Sequence, residues 1–241
     1  MKKNLLPLSA SAVFALFLVG SPAGAATITL GLQEAGFNSG LITNEGTATG
    51  SISTGAGSYG TFTVNNISGI GNPALLPLTD LLNGASSNVS TATPGVMNVY
   101  VTSQGNTLFT GAQTFLSSFT SNVLAGGLTV TETTFLDTAN GLFTGTPGGT
   151  VTQLGQAAFS DIGIFLASLG LNPGSLYSIT EVFTIDATQV GTGGGNAQST
   201  IDVSVSPVPI PGALPLFASG ILGLVVLGRK RKKQKLESAI A

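Results

Sequence analysis

Two short segments of the chain carry the residues whose types and spacing could do chemistry. In each, a hydroxyl residue, an aliphatic residue and Thr lead to a Glu, and an Asp follows: Glu132 precedes Asp137, and Glu181 precedes Asp186. Carboxylate oxygens are the ligands that Ca²⁺ prefers, and a pair of acids is what most glycosidases use. The simplest alternative is that two similar strands belong to one sheet and carry these acids by chance.

Strand periodicity puts both glutamates on an apolar face. Alternation aligns Glu132 with Val130 and Glu181 with Phe183, because every second residue of a strand points the same way. An acid on such a face indicates a β-bulge, a strand end or a shared site of oxygen ligands. These explanations stay open at the level of the sequence.

The rest of the usual catalytic chemistry is missing. The chain has no His and no Cys, and it has no Lys or Arg between Lys3 and Arg229. This composition excludes Ser-His and Cys-His nucleophiles, Schiff-base lysines and His-based zinc sites from that stretch. We therefore predict a protein that is not an enzyme and has no resident cofactor, with Ca²⁺ the one metal that its acids would suit.

The charge is segregated along the chain. Nine carboxylates and no cation lie between Lys3 and Arg229, which gives this stretch a charge of −9 although the whole chain carries −2. Nucleic-acid binding is excluded there, because phosphates are neutralised by Lys and Arg. Without cations, each carboxylate must be solvated, hydrogen-bonded to the backbone or bound to a metal ion.

Residues 26–205 have the composition and pattern of an all-β domain. Thr, Ser, Gly and Asn dominate, and short alternating runs predict strands. The predicted strands are Thr27–Leu30, Tyr59–Val64, Val96–Val101, Leu128–Val130, Leu176–Ile185 and Ile201–Val205. Turn signals separate them at Asn72-Pro73, Thr93–Gly95, Thr146–Gly149 and Asn172–Gly174. This spacing favours a β-sandwich.

Three further local predictions follow from the same sequence. Leu75–Leu82 and Phe159–Leu169 are candidates for short helices. Gly193–Asn196 is expected to close a hairpin between the strand that contains Glu181 and the strand that contains Val203.

Residues 1–25 have the features of a signal peptide. Two lysines precede an apolar stretch, and Ala23-Gly24-Ala25 supplies the small residues that a signal peptidase needs. We expect Sec export and cleavage after Ala25, with cleavage after Ala26 as the alternative.

The other end has the features of a membrane-spanning segment. Residues 212–228 form an uncharged apolar stretch that is long enough for a short membrane-spanning helix. A basic cluster follows at once, formed by Arg229, Lys230, Arg231, Lys232 and Lys233. Such a cluster marks the cytoplasmic side, so residues 234–241 are predicted to be a cytoplasmic tail.

Val208, Pro209, Ile210 and Pro211 stand just before this helix, and their two prolines hold the chain extended. This motif, the apolar span and the basic cluster together resemble the PEP-CTERM family of bacterial sorting signals, in the variants with an aliphatic residue at position 210. The resemblance covers residues 206–233. It implies processing by an exosortase, a membrane Cys protease or transpeptidase, in a Gram-negative host that makes extracellular polysaccharide.

Together, these features predict an exported structural protein of the cell surface or extracellular matrix. It would begin as a precursor anchored in the inner membrane, and the family resemblance adds an association with exopolysaccharide or biofilm. A glycan-binding module, with or without Ca²⁺, is the alternative. A glycosidase that uses Glu132 and Glu181 is a weaker one, because the chain has three Tyr and no Trp for stacking on sugars.

Overall fold

The computed structural model describes residues 25–55, 57–72, 80–107 and 111–207. The predicted signal peptide up to residue 24, the Val208–Pro211 motif, the apolar span and the basic cluster lie outside these residues. In the described part, no helix is long and apolar enough to cross a membrane.

The described residues form thirteen β-strands and one short 3-10 turn, Asn38–Gly40. The strands are β1 (Thr27–Glu34), β2 (Thr43–Thr49), β3 (Ser51–Thr54), β4 (Gly57–Tyr59), β5 (Phe62–Gly71), β6 (Asp80–Thr91), β7 (Val96–Asn106), β8 (Gln113–Ala125), β9 (Thr129–Asp137), β10 (Val151–Phe159), β11 (Gly163–Leu171), β12 (Tyr177–Asp186) and β13 (Gly195–Pro207).

These strands pair in two antiparallel sheets that pack face to face. Sheet A has the order β10-β9-β12-β7-β1-β2, and sheet B has the order β11-β8-β13-β6-β5-β3, with β4 also paired to β5. Alternate residues of each strand point into the space between the sheets, where they form one hydrophobic core. The predicted β-sandwich is thus confirmed for the described residues.

Glycines in sheet B let side chains of sheet A reach its backbone. A Cβ atom on Gly69 would lie 2.6 Å from Val101 Cγ1, and one on Gly71 would lie 2.5 Å from Ile28 Cδ1. Real side chains do not approach this closely, so both positions have room only for hydrogen. The large β-branched residues of β1 and β7 fill the space that these glycines leave.

Several local predictions are confirmed and others are wrong. Strands form at five of the six predicted places, but Tyr59–Val64 is a hairpin: β4 ends at Tyr59, Gly60 turns with φ +58°, and β5 begins at Phe62. Phe159–Leu169 is not a helix, because its apolar residues end β10 and start β11. The predicted helix at Leu75–Leu82 is wrong for its last three residues, which open β6; residues 75–79 lie outside the description.

The predicted last hairpin is also wrong. Gly193 lies in the connection from β12 to β13, and Gly195 begins β13. However, β12 pairs with β7 and β9 in sheet A, while β13 pairs with β6 and β8 in sheet B. The connection therefore crosses from one sheet to the other. Turn residues mark where a strand ends, and they do not tell which sheet the next strand joins.

Candidate functional site

Glu132 and Glu181 lie on neighbouring strands and point into the core. Strands β9 and β12 pair antiparallel, with Glu132 opposite Phe183 and Glu181 opposite Thr134. Opposite residues share a face of the sheet, so the two acids are diagonal neighbours on the inner face of sheet A. No register shift interrupts this pairing, so the explanation by a bulge or a strand end is wrong.

Glu181 spans the gap between the two sheets at a glycine. Its carboxylate occupies the place where Gly84 of β6 would carry a Cβ atom. Gly84 faces inward, since it pairs with the buried Ile201 of β13. A side chain at position 84 would displace the carboxylate, so this glycine makes the room for Glu181.

Glu132 faces the buried hydroxyl residues of β8 and β13. Ser121 and Ser199 stand directly opposite each other in sheet B and are 2% and 1% exposed. Neither hydroxyl has a hydrogen-bond partner in the described residues, and the same holds for all four carboxylate oxygens of Glu132 and Glu181. Ser199 and the backbone of Thr120 lie close enough to Glu132 to lower its pKa.

The environment favours the neutral form of both acids. Burial raises the pKa of Glu132 to about 7, an effect that the Ser199 hydroxyl and the Thr120 backbone partly offset. Burial also raises the pKa of Glu181 well above its usual value, and the charges of Asp202 and Glu132 add to this increase. A carboxyl in a core without cations loses hydration when it ionises and meets no opposite charge there. Both acids therefore hold their protons to a higher pH than an exposed Glu does.

The structure does not bring the four acids of the repeat together. Asp137 lies on the outer face of sheet A at the end of β9, where it accepts hydrogen bonds from the backbone N–H groups of Ala139 (2.8 Å) and Gly141 (3.1 Å). Asp186 ends β12 and accepts one from Thr188 N–H (2.8 Å). Hydrogen bonds from the Thr188 side chain and backbone lower the pKa of Asp186.

The positions of these acids bear on the two chemistries considered from the sequence, which are calcium binding and glycoside hydrolysis. Within the described residues, no three acids converge in a way that could hold a metal ion. Glu132 and Glu181 are fully buried, so they have no surface on which a sugar could lie. The four acids serve as two buried core groups with raised pKa values and two anchors of loop backbone.

Other acids occupy positions that sequence reasoning did not single out. Glu34 is buried at the end of β1 and accepts hydrogen bonds from Thr61, both from its backbone N–H (3.0 Å) and from its hydroxyl (2.6 Å). Asp80 and Asp202 lie near each other on sheet B, and burial together with Asp80 raises the pKa of Asp202. For Glu34, the sequence signal that could have indicated the contact is Gly60, where a Cβ atom would meet the carboxylate.

The outer face of sheet A carries a row of uncharged polar side chains. Gln33 (β1), Asn98 (β7), Thr184 (β12) and Thr131 (β9) stand directly opposite one another on adjacent strands. We call them the outer row. Asn98 Nδ2 donates to Gln33 Oε1 (3.1 Å), and the Thr184 hydroxyl donates to Asn98 Oδ1 (2.8 Å). These bonds fix the orientations of amide and hydroxyl groups that are still partly exposed to solvent.

A loop covers the other half of this face. Residues 138–150 cross β7 and β12, and Phe143 packs on Tyr100 with ring centroids 5.8 Å apart. The loop is held by Asn140, whose Oδ1 accepts from Gly105 N–H (2.8 Å), and by the Ser178 hydroxyl, which donates to Gly141 O (2.7 Å). Tyr100 continues into the outer row, because its hydroxyl donates to Gln33 Oε1 (2.7 Å).

The two alanines at the expected cleavage site have different environments. Ala25 is exposed, whereas Ala26 is fully buried and its backbone N–H donates to Asn72 O (2.8 Å). The folded domain therefore includes Ala26 and not Ala25.

Comparison with known proteins gives weak structural similarities only. No family model matches the chain, and no curated protein matches it. TmCBM61 bound to β-1,4-galactotriose is similar at 8% identity and a TM-score of 0.30, over 66% of this chain and 88% of that one. The empty top component of cowpea mosaic virus is similar at 11% identity and a TM-score of 0.27, over 80% and 90%. The Gx strain of infectious bursal disease virus gives 13% identity and a TM-score of 0.23, over 78% and 52%. At these TM-scores the similarities say nothing about function.

Proposed function

We propose that the chain is an exported structural protein of the cell surface or extracellular matrix, released from a membrane-bound precursor by processing at Val208–Pro211. The observation that supports this role best is the use of the acids. Glu132 and Glu181 are buried, Glu34 and Asp137 hold backbone, and the folded domain has no His, Cys, Lys or Arg to complete a catalytic site. What is left is a sandwich with a hydroxyl-rich exterior that carries a few acids and no cation.

The proposed export pathway also defines the start of the mature chain. Cleavage after Ala26 would remove a buried side chain and a backbone hydrogen bond to Asn72. Cleavage after Ala25 leaves both in place. We therefore favour Ala26 as the first residue of the mature protein, and we place the second cut within residues 208–211.

Surface location can be tested with cysteine labelling, because the chain has no natural Cys. Ser53 of β3 is exposed on the domain, so Ser53→Cys gives a unique reactive thiol. A membrane-impermeant maleimide should label this variant in intact cells. Labelling that requires cell lysis would place the domain inside the cell and would refute the proposal.

Glycan recognition is the second candidate, and the outer row supports it. Side chains of this row present amide and hydroxyl groups, which donate to and accept from sugar hydroxyls. The row spans four adjacent strands, a length of about 14 Å at the usual strand spacing. Its members carry no charge, so a neutral or weakly charged polysaccharide would meet no electrostatic barrier on this face.

A matched pair of threonine variants tests the outer row. Thr184→Val removes the hydroxyl that donates to Asn98, while Thr200→Val removes a hydroxyl on the outer face of sheet B that accepts from Asn122 Nδ2 (3.0 Å). If the row binds glycan, retention of the full chain on the host's exopolysaccharide falls with Thr184→Val and not with Thr200→Val. Equal retention of both variants and the wild type would remove this candidate.

A further inference from the structure

Strand β11 forms an edge of sheet B with unusually apolar, exposed side chains. Within the described residues it pairs with β8 and with no other strand. The exposed fractions are 66% for Ile162, 74% for Ile164, 48% for Phe165 and 59% for Leu166, and the neighbouring Leu116 of β8 is 40% exposed. Exposed apolar residues grouped in this way mark an interaction surface.

The backbone of β11 is suited to accept another strand. Nine consecutive residues pair with β8 without a register shift, so the strand is regular along its whole length. Its far side presents unpaired N–H and C=O groups, and natural proteins usually protect such an edge with Lys, Pro or a bulge. From Ile162 to Leu171 the chain contains none of these and no charged residue.

The other sheet edges are protected. Strand β2 carries the exposed Glu45, and β3 has four residues. Strand β10 has a register shift between Gln153 and Gly155 that disrupts its ladder. Among the described edge strands, β11 is therefore the one that is long, regular, uncharged and apolar.

A second copy of this chain supplies the partner that this edge requires, a regular, uncharged and apolar strand, and charge sets the orientation as antiparallel. The domain carries nine carboxylates and no cation, so two copies repel each other over most of their surfaces, while β11 is neutral. Asp161 is the acid nearest to the strand. Antiparallel pairing places the two Asp161 residues at opposite ends of a nine-residue strand, about 30 Å apart, which exceeds the screening length in physiological salt.

We propose that two copies of this chain associate through antiparallel pairing of their β11 strands. The contact is isologous: each copy presents the same strand, and pairing uses up both free edges, so assembly stops at a dimer. With the nine residues of each strand in register, Leu166 of one copy lies opposite Ser168 of the other and Ile164 lies opposite Gly170, on the outer face of the joined sheet. The inference rests on the fold and holds whether or not the protein is exported.

Single-cysteine variants of the full chain test this arrangement. Ser168→Cys places a thiol on β11 near its centre, and Ser53→Cys places one on β3 at the opposite edge of the same sheet; both serines are exposed. A short bifunctional maleimide added to the purified full chain should join two Ser168→Cys copies into a dimer. The same reagent should leave Ser53→Cys monomeric.

A second pair of variants separates specific pairing from crowding. Leu166→Lys is placed in the Ser168→Cys chain, with Leu41→Lys as the control, because Leu41 is similarly exposed at 64%. Removing two leucines from the contact and opposing two ammonium groups should lower dimer yield by at least about tenfold for Leu166→Lys. Leu41→Lys should keep the yield of its parent.

Three results would overturn the proposal. A Ser168→Cys thiol that does not react with a monofunctional maleimide would show that another part of the same chain covers β11. A thiol that reacts but is not cross-linked would show a free edge without a partner. Equal cross-linking at Ser53 and Ser168, or equal yield with Leu166→Lys and Leu41→Lys, would show crowding without specific pairing.

Discussion

Glu132 and Glu181 link protonation to folding. Their pKa values are raised above the usual 4.5, so the folded chain keeps protons that the unfolded chain releases above about pH 4.5. The stability that depends on these acids is complete below that pH and is lost as the pH rises. For Glu132 the loss occurs between about pH 4.5 and about 7, the pKa in the folded protein, and amounts to about 3 kcal/mol.

We predict that the protein is most stable near pH 4, where the two core acids are still mostly protonated in both states. Asp186 opposes further acidification, because its lowered pKa contributes stability that is lost as the pH falls through that value. Denaturant unfolding followed by circular dichroism from pH 3 to 8 measures the profile. A free energy of unfolding that increases steadily up to pH 8 would contradict the neutral state of the core acids.

Replacing one core acid with its uncharged isostere should flatten this profile. Glu181→Gln removes the group that must stay protonated, so it should raise the melting temperature at pH 7 to 8 and change it little at pH 4. Glu45→Gln, on the exposed strand β2, is the matched control and should leave the profile unchanged. A variant that is destabilised equally at both pH values would show that the carboxyl acts through packing alone.

The contact between Glu181 and Gly84 predicts a coupled pair of substitutions. Gly84→Ala puts a methyl group where the carboxylate lies and should cost about 1 to 3 kcal/mol. Adding Glu181→Ala should recover part of this loss, because the methyl then fills vacated space. Gly170→Ala on β11 is the control, since the nearest atom to its Cβ is Gln113 O at 3.9 Å. Additive losses in a double-mutant cycle would contradict the contact.

At the scale of the elements, the loop over sheet A depends on one carboxylate. Asp137 accepts two backbone N–H groups at the start of the loop, while Asp161 accepts one from Ile162 (2.7 Å) at an exposed turn. Asp137→Ala should speed hydrogen exchange across residues 138–150 and leave β7 and β12 protected. Asp161→Ala should not change exchange in that loop, and loop exchange equal to wild type in Asp137→Ala would refute the anchoring role.

The sequence predicts elements better than it predicts their partners. Alternation places strands such as β1, β7 and β12 correctly, because a half-buried strand needs period-two burial. It fails at β11, where Ile164, Phe165 and Leu166 are consecutive apolar residues that fit a helix as well as a strand. It also fails for the β12–β13 connection, because sheet assignment depends on long-range pairing that a loop sequence does not encode.

For the candidate site as well, the sequence predicts the local strands but not what packs against them. The repeat around Glu132 and Glu181 correctly indicates two similar strands, which prove to be neighbours in sheet A. It does not show that the acids are buried without partners, because that depends on Gly84 and Ser199 in the opposite sheet. Solvated, backbone-bound and metal-bound carboxylates were the expected states, and a protonated core acid was missed because burial cannot be read from one strand.

For the whole molecule, the placement of the acids predicts how stability depends on calcium. Because the four acids of the repeat do not converge in the described residues, we expect chelation to leave stability unchanged. Thermal unfolding at pH 7 in millimolar calcium and in excess chelator should give the same midpoint. A clear rise in the midpoint with calcium would instead assign an ion to the acids.

The proposed export and release of the sandwich are tested most directly by the two ends of the mature chain. Protein from each fraction of the host cells would be measured by intact mass, with sequencing of both termini. The account predicts a chain that begins at Ala26, ends within residues 208–211 and is found in the envelope or matrix. A chain in the inner membrane that still carries Arg229 to Ala241, or one spread through the cytoplasm, would contradict it.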